Sequence, residues 1–160
     1  MMDTATSTKA NEATARAKPG KYLGFSLDEQ LFGVEILKVR EIVCGLAVTP
    51  VPRATRAVRG VINLRGKIIP VVDLRVKLGM SPAIQHDRTC FVVVDVVKDA
   101  VETQIGVLVD AVSEVLNVRA EDIVAAPDYG SSMASTHILG VAQMKGTVRL
   151  LLGIQEILEA

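Results

Sequence analysis

The apolar positions of this chain fall in short runs rich in valine and isoleucine, each closed by Gly, Pro, Asp or Asn. That rhythm predicts strands rather than long helices. The first run is KYLGFSL (21–27), and Asp28-Glu29-Gln30 breaks it before LFGVEILKVREIV (31–43). The second run predicts a further strand interrupted near Leu37-Lys38, although Ile36, Val39 and Val43 also fit a helical spacing. Thr49-Pro50-Val51-Pro52 stops any regular element, because proline removes a donor and restricts the residue before it. Arg53 to Arg59 forms a connector, and DLRVKLGM (73–80), with Leu74 and Leu78 spaced for one helix face and Gly79 as a stop, predicts one or two helical turns. The chain resumes with TCFVVVDVV, breaks at Lys98-Asp99-Ala100, continues as VETQIGVLVDAVSEVLNV (101–118), and closes on a short helix whose apolar face carries Ile154, Ile157 and Leu158.

The stretch GVINLRGKIIPVVDL (60–74) reads as a hairpin, since Gly66 can supply the positive φ of a tight reversal and Arg65 then sits at an exposed tip. Pro70 demotes its second strand to an edge or a bulge. The chain repeats the stretch as GVAQMKGTVRLLLGI (140–154): Gly60 matches Gly140, Asn63 Gln143, Leu64 Met144, Arg65 Lys145 and Gly66 Gly146. Upstream, FGVEILKVREIV matches IGVLVDAVSEVL, with Gly33 on Gly106, Val39 on Val112 and Glu41 on Glu114. The second copy is longer between its matched segments, which places a Pro, Gly and Ser loop around Ala125 to Ser135. Two such copies predict a mainly β fold of two small, intertwined subdomains related by pseudo-symmetry, about 21–80 and 88–153, with a C-terminal helix at 154–160. Strands this short close most easily into small barrels. Residues 1–20, rich in Ala, Thr, Ser, Lys and Glu, predict a disordered tail.

Composition narrows the function. Lys plus Arg equals Asp plus Glu at 18 each and aromatics are 3%, so neither a basic nucleic-acid surface nor stacking platforms are available. No apolar run has the length of a membrane span and no secretory core opens the chain, so the expectation is a cytoplasmic protein with no direct membrane insertion. Cys44 and Cys90 lack metal or redox spacing and read as buried free thiols. His86 and His137 lie in polar connectors and read as solvated loop residues. No nucleophile, metal, phosphate-loop or dinucleotide pattern is present, so no catalytic, metal or cofactor residues are assigned. Asp95, closing FVVVD, raises a phosphoacceptor reading, but the helices of a receiver domain are missing and Asp95 reads better as a strand-end or turn residue. Function is therefore expected in surfaces: a groove between two β-subdomains suits a partner helix, and Glu41 and Arg65 are the charges that could frame it.

At GVINLRGKIIPVVDLR, with EILKVREI upstream and GVLVDAVSEVL downstream, the sequence resembles the CheW family of bacterial chemotaxis coupling proteins over residues 20–158. The resemblance implies two SH3-like five-stranded β-barrels with short connecting helices, and a non-enzymatic adaptor. Such an adaptor joins the cytoplasmic tip of methyl-accepting chemoreceptors to the regulatory domain of the CheA kinase, and associates in the rings of membrane-associated receptor arrays. It also implies a receptor-facing groove at Val39, Glu41, Gly60, Asn63, Leu64, Arg65, Val112 and Val115. Val39, Leu64, Val112 and Val115 would bury receptor side chains, Glu41 and Arg65 would set register, and Gly60 would permit close approach of the partner helix or relieve its strand. Kinase-contact residues do not transfer position by position. A stand-alone adaptor is the expected form, with the N-terminal coupling module of a CheV-like protein as the alternative.

Overall fold

A computed structural model describes residues 17–82, 89–124 and 137–159. In chain order the strands are β1 (Gly20–Leu27), β2 (Gln30–Glu35), β3 (Val39–Cys44), β4 (Val58–Leu64) and β5 (Lys67–Asp73), then β6 (Cys90–Lys98), β7 (Val101–Val109), β8 (Ala111–Val118), β9 (Ile123–Val124), β10 (Ile138–Met144) and β11 (Thr147–Leu152). The described residues also include the short helices α1 (Leu74–Lys77) and α2 (Ile154–Glu159) and a 3-10 turn at Ala120–Asp122. The interruption expected near Leu37-Lys38 is a 3-10 turn at Ile36–Lys38. The tail before residue 17, the loop 125–136 and His86 lie outside the described residues.

The strands form two sheets, ordered β8-β1-β2-β11-β10-β9 and β3-β6-β7-β5-β4. Leaving out the two-residue β9, each has the five strands expected, and one order maps onto the other repeat for repeat. Each sheet draws strands from both copies, 21–80 and 88–153. The opening hairpin of each copy has crossed to the other: β1 and β2 sit with β8, β10 and β11, while β6 and β7 sit with β3, β4 and β5. The crossing is sealed by two short parallel ladders, Gly33 opposite Leu151 and Gly106 opposite Val71, which are equivalent positions of the repeat. The approach is tighter at the first: a Cβ at Gly33 would press on Leu151 Cδ2 at 3.1 Å, whereas one at Gly106 would meet Val71 Cγ2 at an ordinary contact distance of 3.5 Å.

Burial explains why the runs are so continuously apolar. Val92, Val94 and Val96 face a core shared by both sheets, together with Leu23, Phe25, Phe32, Val107 and Val109. Phe91, Val93 and Leu108, on the opposite face, pack with Ile62, Ile69 and Val71 in a core belonging to the second sheet alone. Strands buried on both faces lose the polar alternation that marks a one-sided sheet. Tyr22, Val118, Ala142 and Leu151 make the corresponding core of the first sheet. Ile154 and Ile157 seat α2 on the shared core, and Gln155 brackets the Val97 peptide with two hydrogen bonds, 3.0 and 2.7 Å. Among the described residues no helix is long and apolar enough to cross a membrane.

Several expectations are corrected. Of the two readings of Pro70, the edge strand fails, because β5 lies between β4 and β7, whereas the β4–β5 ladder is irregular between Val58 and Gly60, beside the Val61–Pro70 pair, and the β7 ladder begins only at Val71. Asp95 is neither a strand end nor a turn; it lies within β6 opposite Gln104 and accepts from Arg40 Nε at 3.1 and 3.2 Å. Cys44 and Cys90 are not free thiols but a disulfide joining directly opposed residues of β3 and β6. His137 is buried rather than solvated, and its Nδ1 has no hydrogen-bond partner among the described residues.

Two stability predictions follow from these interiors. Burial, assisted by the Lys77 charge and opposed by Glu156, holds the His137 imidazole below its ordinary pKa of 6.5. The folded state therefore prefers neutral His137, and the unfolded chain binds more protons as pH falls below 6.5. Stability should decline there, and in His137→Gln that part of the decline should disappear in urea titrations at stepped pH. Arg75 is the second case. Its guanidinium, 12% exposed, donates to Asp28 at 2.7 and 3.1 Å, to Asp110 at 2.9 Å and to the Ser81 carbonyl at 2.7 Å. One side chain thus ties α1 to the β1–β2 turn and to the β7–β8 corner. Charge-assisted hydrogen bonds contribute roughly 1.5–3 kcal/mol, so Arg75→Ala should lower the unfolding free energy by about 2 kcal/mol in urea.

Candidate functional site

The site is built on the first repeated hairpin. Leu64 pairs with Lys67, leaving Arg65 and Gly66 as a two-residue loop with φ of 54° and 86°. Two positive φ values in such a loop match the right-handed twist of the flanking strands, and glycine takes the second without a Cβ. The second hairpin repeats the solution with Lys145 and Gly146 at 49° and 77°. Asn63 Oδ1 accepts from the Gly66 amide at 2.8 Å, so the side chain that heads the motif spends its oxygen on the turn.

Arg65 is 72% exposed, and its Nη2 donates to Glu41 Oε1 on β3 at 2.5 Å, drawing the two charges singled out from the sequence into one ion pair. That hydrogen bond is the main reason the Arg65 pKa lies above its ordinary value. A register shift between Val39 and Glu41 re-aims β3. On one side of the shift Val39 packs against the shared core, and on the other Val43 packs with Leu64 against the core of the second sheet.

The remaining expected positions fall elsewhere. Val112 and Val115 lie on β8, an edge strand of the other sheet. Val112 packs against the same shared core as Val39, whereas Val115 is 52% exposed. Val115 lines a cleft of about 410 Å³ with Glu114, Leu116, Met144 and Lys145, the repeat's counterpart of the Glu41 and Arg65 neighbourhood. Among the described residues Glu114 and Lys145 do not pair; the buried Arg149 beside them donates to the Phe32 carbonyl at 2.8 Å, and burial lowers its pKa while Glu114 opposes that. Gly60 is buried, and its φ of +144° carries it beneath the Thr49-Pro50 backbone. Sequence reading missed the Arg40–Asp95 pair, which occupies β3 and β6 one residue from Glu41; a lone Arg and Asp 55 positions apart give no local signal.

Fold and site define a duplicated two-sheet β protein that displays an ion-paired hairpin tip, and among its described residues no group of three His, Cys, Asp or Glu is placed to hold a metal. Family and structural comparisons agree with that class. The chain belongs to the CheW-like domain family, whose model matches residues 21–160. It is 37% identical over 138 residues to the chemotaxis protein CheW of Rhizobium meliloti, covering 84% of each chain. To the chemotaxis protein CheW of Klebsiella aerogenes it is 32% identical over 140 residues, 88% of this chain and 82% of the relative. The crystal structure of the scaffolding protein TtCheW from Thermoanaerobacter tengcongensis superposes with a TM-score of 0.76 at 29% identity, covering 89% of this chain and 94% of the other.

Proposed function

We propose that this chain is a chemotaxis adaptor that catalyses no reaction and joins the helical cytoplasmic tip of methyl-accepting receptors to the regulatory domain of CheA. The observation that carries this reading is the Arg65–Glu41 pair, held out at a rigid hairpin tip with Leu64 beneath it and Val39 nearby on the same strand as Glu41. A charge pair flanked by apolar side chains suits the face of an amphipathic helix: the apolar contacts supply affinity, at roughly 1.5–3 kcal/mol for each fully buried side chain, and the charges set register. In this reading the protein works in the cytoplasm, recruited to membrane-associated receptor arrays, where it also associates with its own kind.

Isothermal titration with a receptor-tip fragment and, separately, with the CheA regulatory domain tests the proposal. Saturable binding to both, with no phosphate appearing on the chain beside phosphorylated kinase, is the expected result. Failure to bind the receptor tip would refute it, and phosphate stably carried on Asp95 would favour the phosphoacceptor reading instead.

A further inference from the structure

We propose that Cys44 and Cys90 form a thiol–disulfide exchange site, opened by a dithiol and closed by the matching disulfide, that sets how firmly the C-terminal half of β3 is held on β6. The pair ends the β3–β6 ladder. Beyond it the Gly45 amide donates to the Thr89 carbonyl at 3.4 Å, so Cys44 and Cys90 occupy the non-hydrogen-bonded position, where opposed side chains come closest. Cys44 is exposed, whereas Cys90 is 8% exposed and belongs to the shared core. Incoming thiolate therefore meets one sulfur and not the other.

Two features point to exchange rather than to a fixed staple. The equivalent position of the first sheet pairs Lys21 with Asn117, so the same edge ladder closes there with no covalent bond. In addition, β3 is an edge strand with β6 as its only neighbour in the sheet, and edge strands held on one side open at low cost. Glu41 lies on that strand, three residues before Cys44, so its pairing with Arg65 depends on a strand whose far end the disulfide pins.

The chemistry balances without help from other groups. A dithiol's thiolate attacks Cys44 Sγ, the bond to Cys90 breaks, and Cys90 leaves as a thiolate and takes a proton. The reductant's second thiolate then attacks its own sulfur in the mixed disulfide, releasing Cys44. Two electrons pass to the protein, and the dithiol becomes a cyclic disulfide. Oxidation runs the same steps backwards.

The full chain would be incubated, folded, with reduced or with oxidised dithiothreitol, quenched in acid and alkylated for intact mass, with amide exchange measured on each form. The expected result is two alkylated thiols after the reduced reagent and none after the oxidised one. Peptides covering 41–46 should exchange at least tenfold faster in the reduced form, and peptides covering 111–118 should be unchanged. In the single variants, Cys90→Ser should form a mixed disulfide with glutathione at Cys44 at least tenfold faster than Cys44→Ser does at Cys90. The proposal is overturned if the thiols stay free in the oxidised reagent, if the bond survives reduction in the folded chain, or if β3 exchanges equally in both states. None of these readouts depends on what binds the hairpin tip, so they stand or fall apart from the adaptor reading.

Discussion

Arg65→Glu is expected to weaken binding of a receptor-tip fragment about tenfold or more while moving the thermal midpoint by no more than about 2 °C. The two halves of that expectation have different causes. Arg65 is 72% exposed and its partner Glu41 28%, so the pair adds little to folding once water and salt screen it. Against a partner the balance changes, because a second carboxylate at position 65 would repel Glu41 and offer the incoming helix two like charges. The loss should be larger at low ionic strength than at high. Exchanging both charges, Glu41→Arg with Arg65→Glu, should restore the ion pair without restoring affinity, since each charge would then face the wrong side of the partner. Titration calorimetry at two salt concentrations, with melting curves on the same samples, reads all of this.

Gly60→Ala should be the most damaging single change in the described fold, lowering the unfolding free energy by about 3–5 kcal/mol in urea titrations. Two costs add. At φ +144° the backbone is in a region that residues with a Cβ avoid, and a Cβ there would strike the Thr49 carbonyl oxygen and lie 2.7 Å from its carbon and 2.9 Å from Pro50 Cα. Those are backbone atoms, pinned by reciprocal Thr49 and Val61 hydrogen bonds of 2.9 Å, so neither can swing aside. The matched Gly140 is a control: it has no positive φ, and its Cβ would meet nothing closer than Ala17 Cβ at 3.1 Å. Gly140→Ala should cost about 1–2 kcal/mol. If the two variants proved equally stable, the packing of residues 49 and 50 over β4 would be wrong.

The contrast between these glycines marks how far the sequence could be read. The repeat and both hairpin tips were legible, because Gly66 and Gly146 each follow a cation and close an apolar run, and glycine in that place has a local backbone reason. The break at Leu37-Lys38 was legible for the same reason, as periodicity changes within a few residues. What local pattern does not encode is the identity of a strand's neighbour. KYLGFSL and FVVVDVV declare buried faces but not which copy buries them, and so intertwined copies could be expected without saying that the opening hairpins are the parts exchanged. The disulfide was hidden for a related reason: 46 residues separate its cysteines, and only the β3–β6 register makes them opposite. Of the candidate site, Glu41 and Arg65 were each legible as charges that could frame a groove, but not as partners of one another, which only the β3–β4 placement makes them. Of the two readings of Gly60, close approach by a partner or relief of its own strand, the backbone of Thr49 and Pro50 gives the second a direct cause. His137 was misjudged because its upstream neighbours are polar; Ile138 and Leu139, which follow it into β10, were the signal of burial.

Whether the β4–β5 hairpin tip, with Glu41 of β3 beside it, receives a receptor helix can be read by following backbone amide resonances of the isotope-labelled chain as unlabelled receptor-tip fragment is added. The largest shifts should fall on Val39, Glu41, Asn63, Leu64 and Arg65, extend to Val112 and Val115, and vanish from that set in Arg65→Glu. Shifts confined to α2 and the second hairpin at Lys145, with residues 39–41 and 63–65 unmoved at saturation, would contradict it.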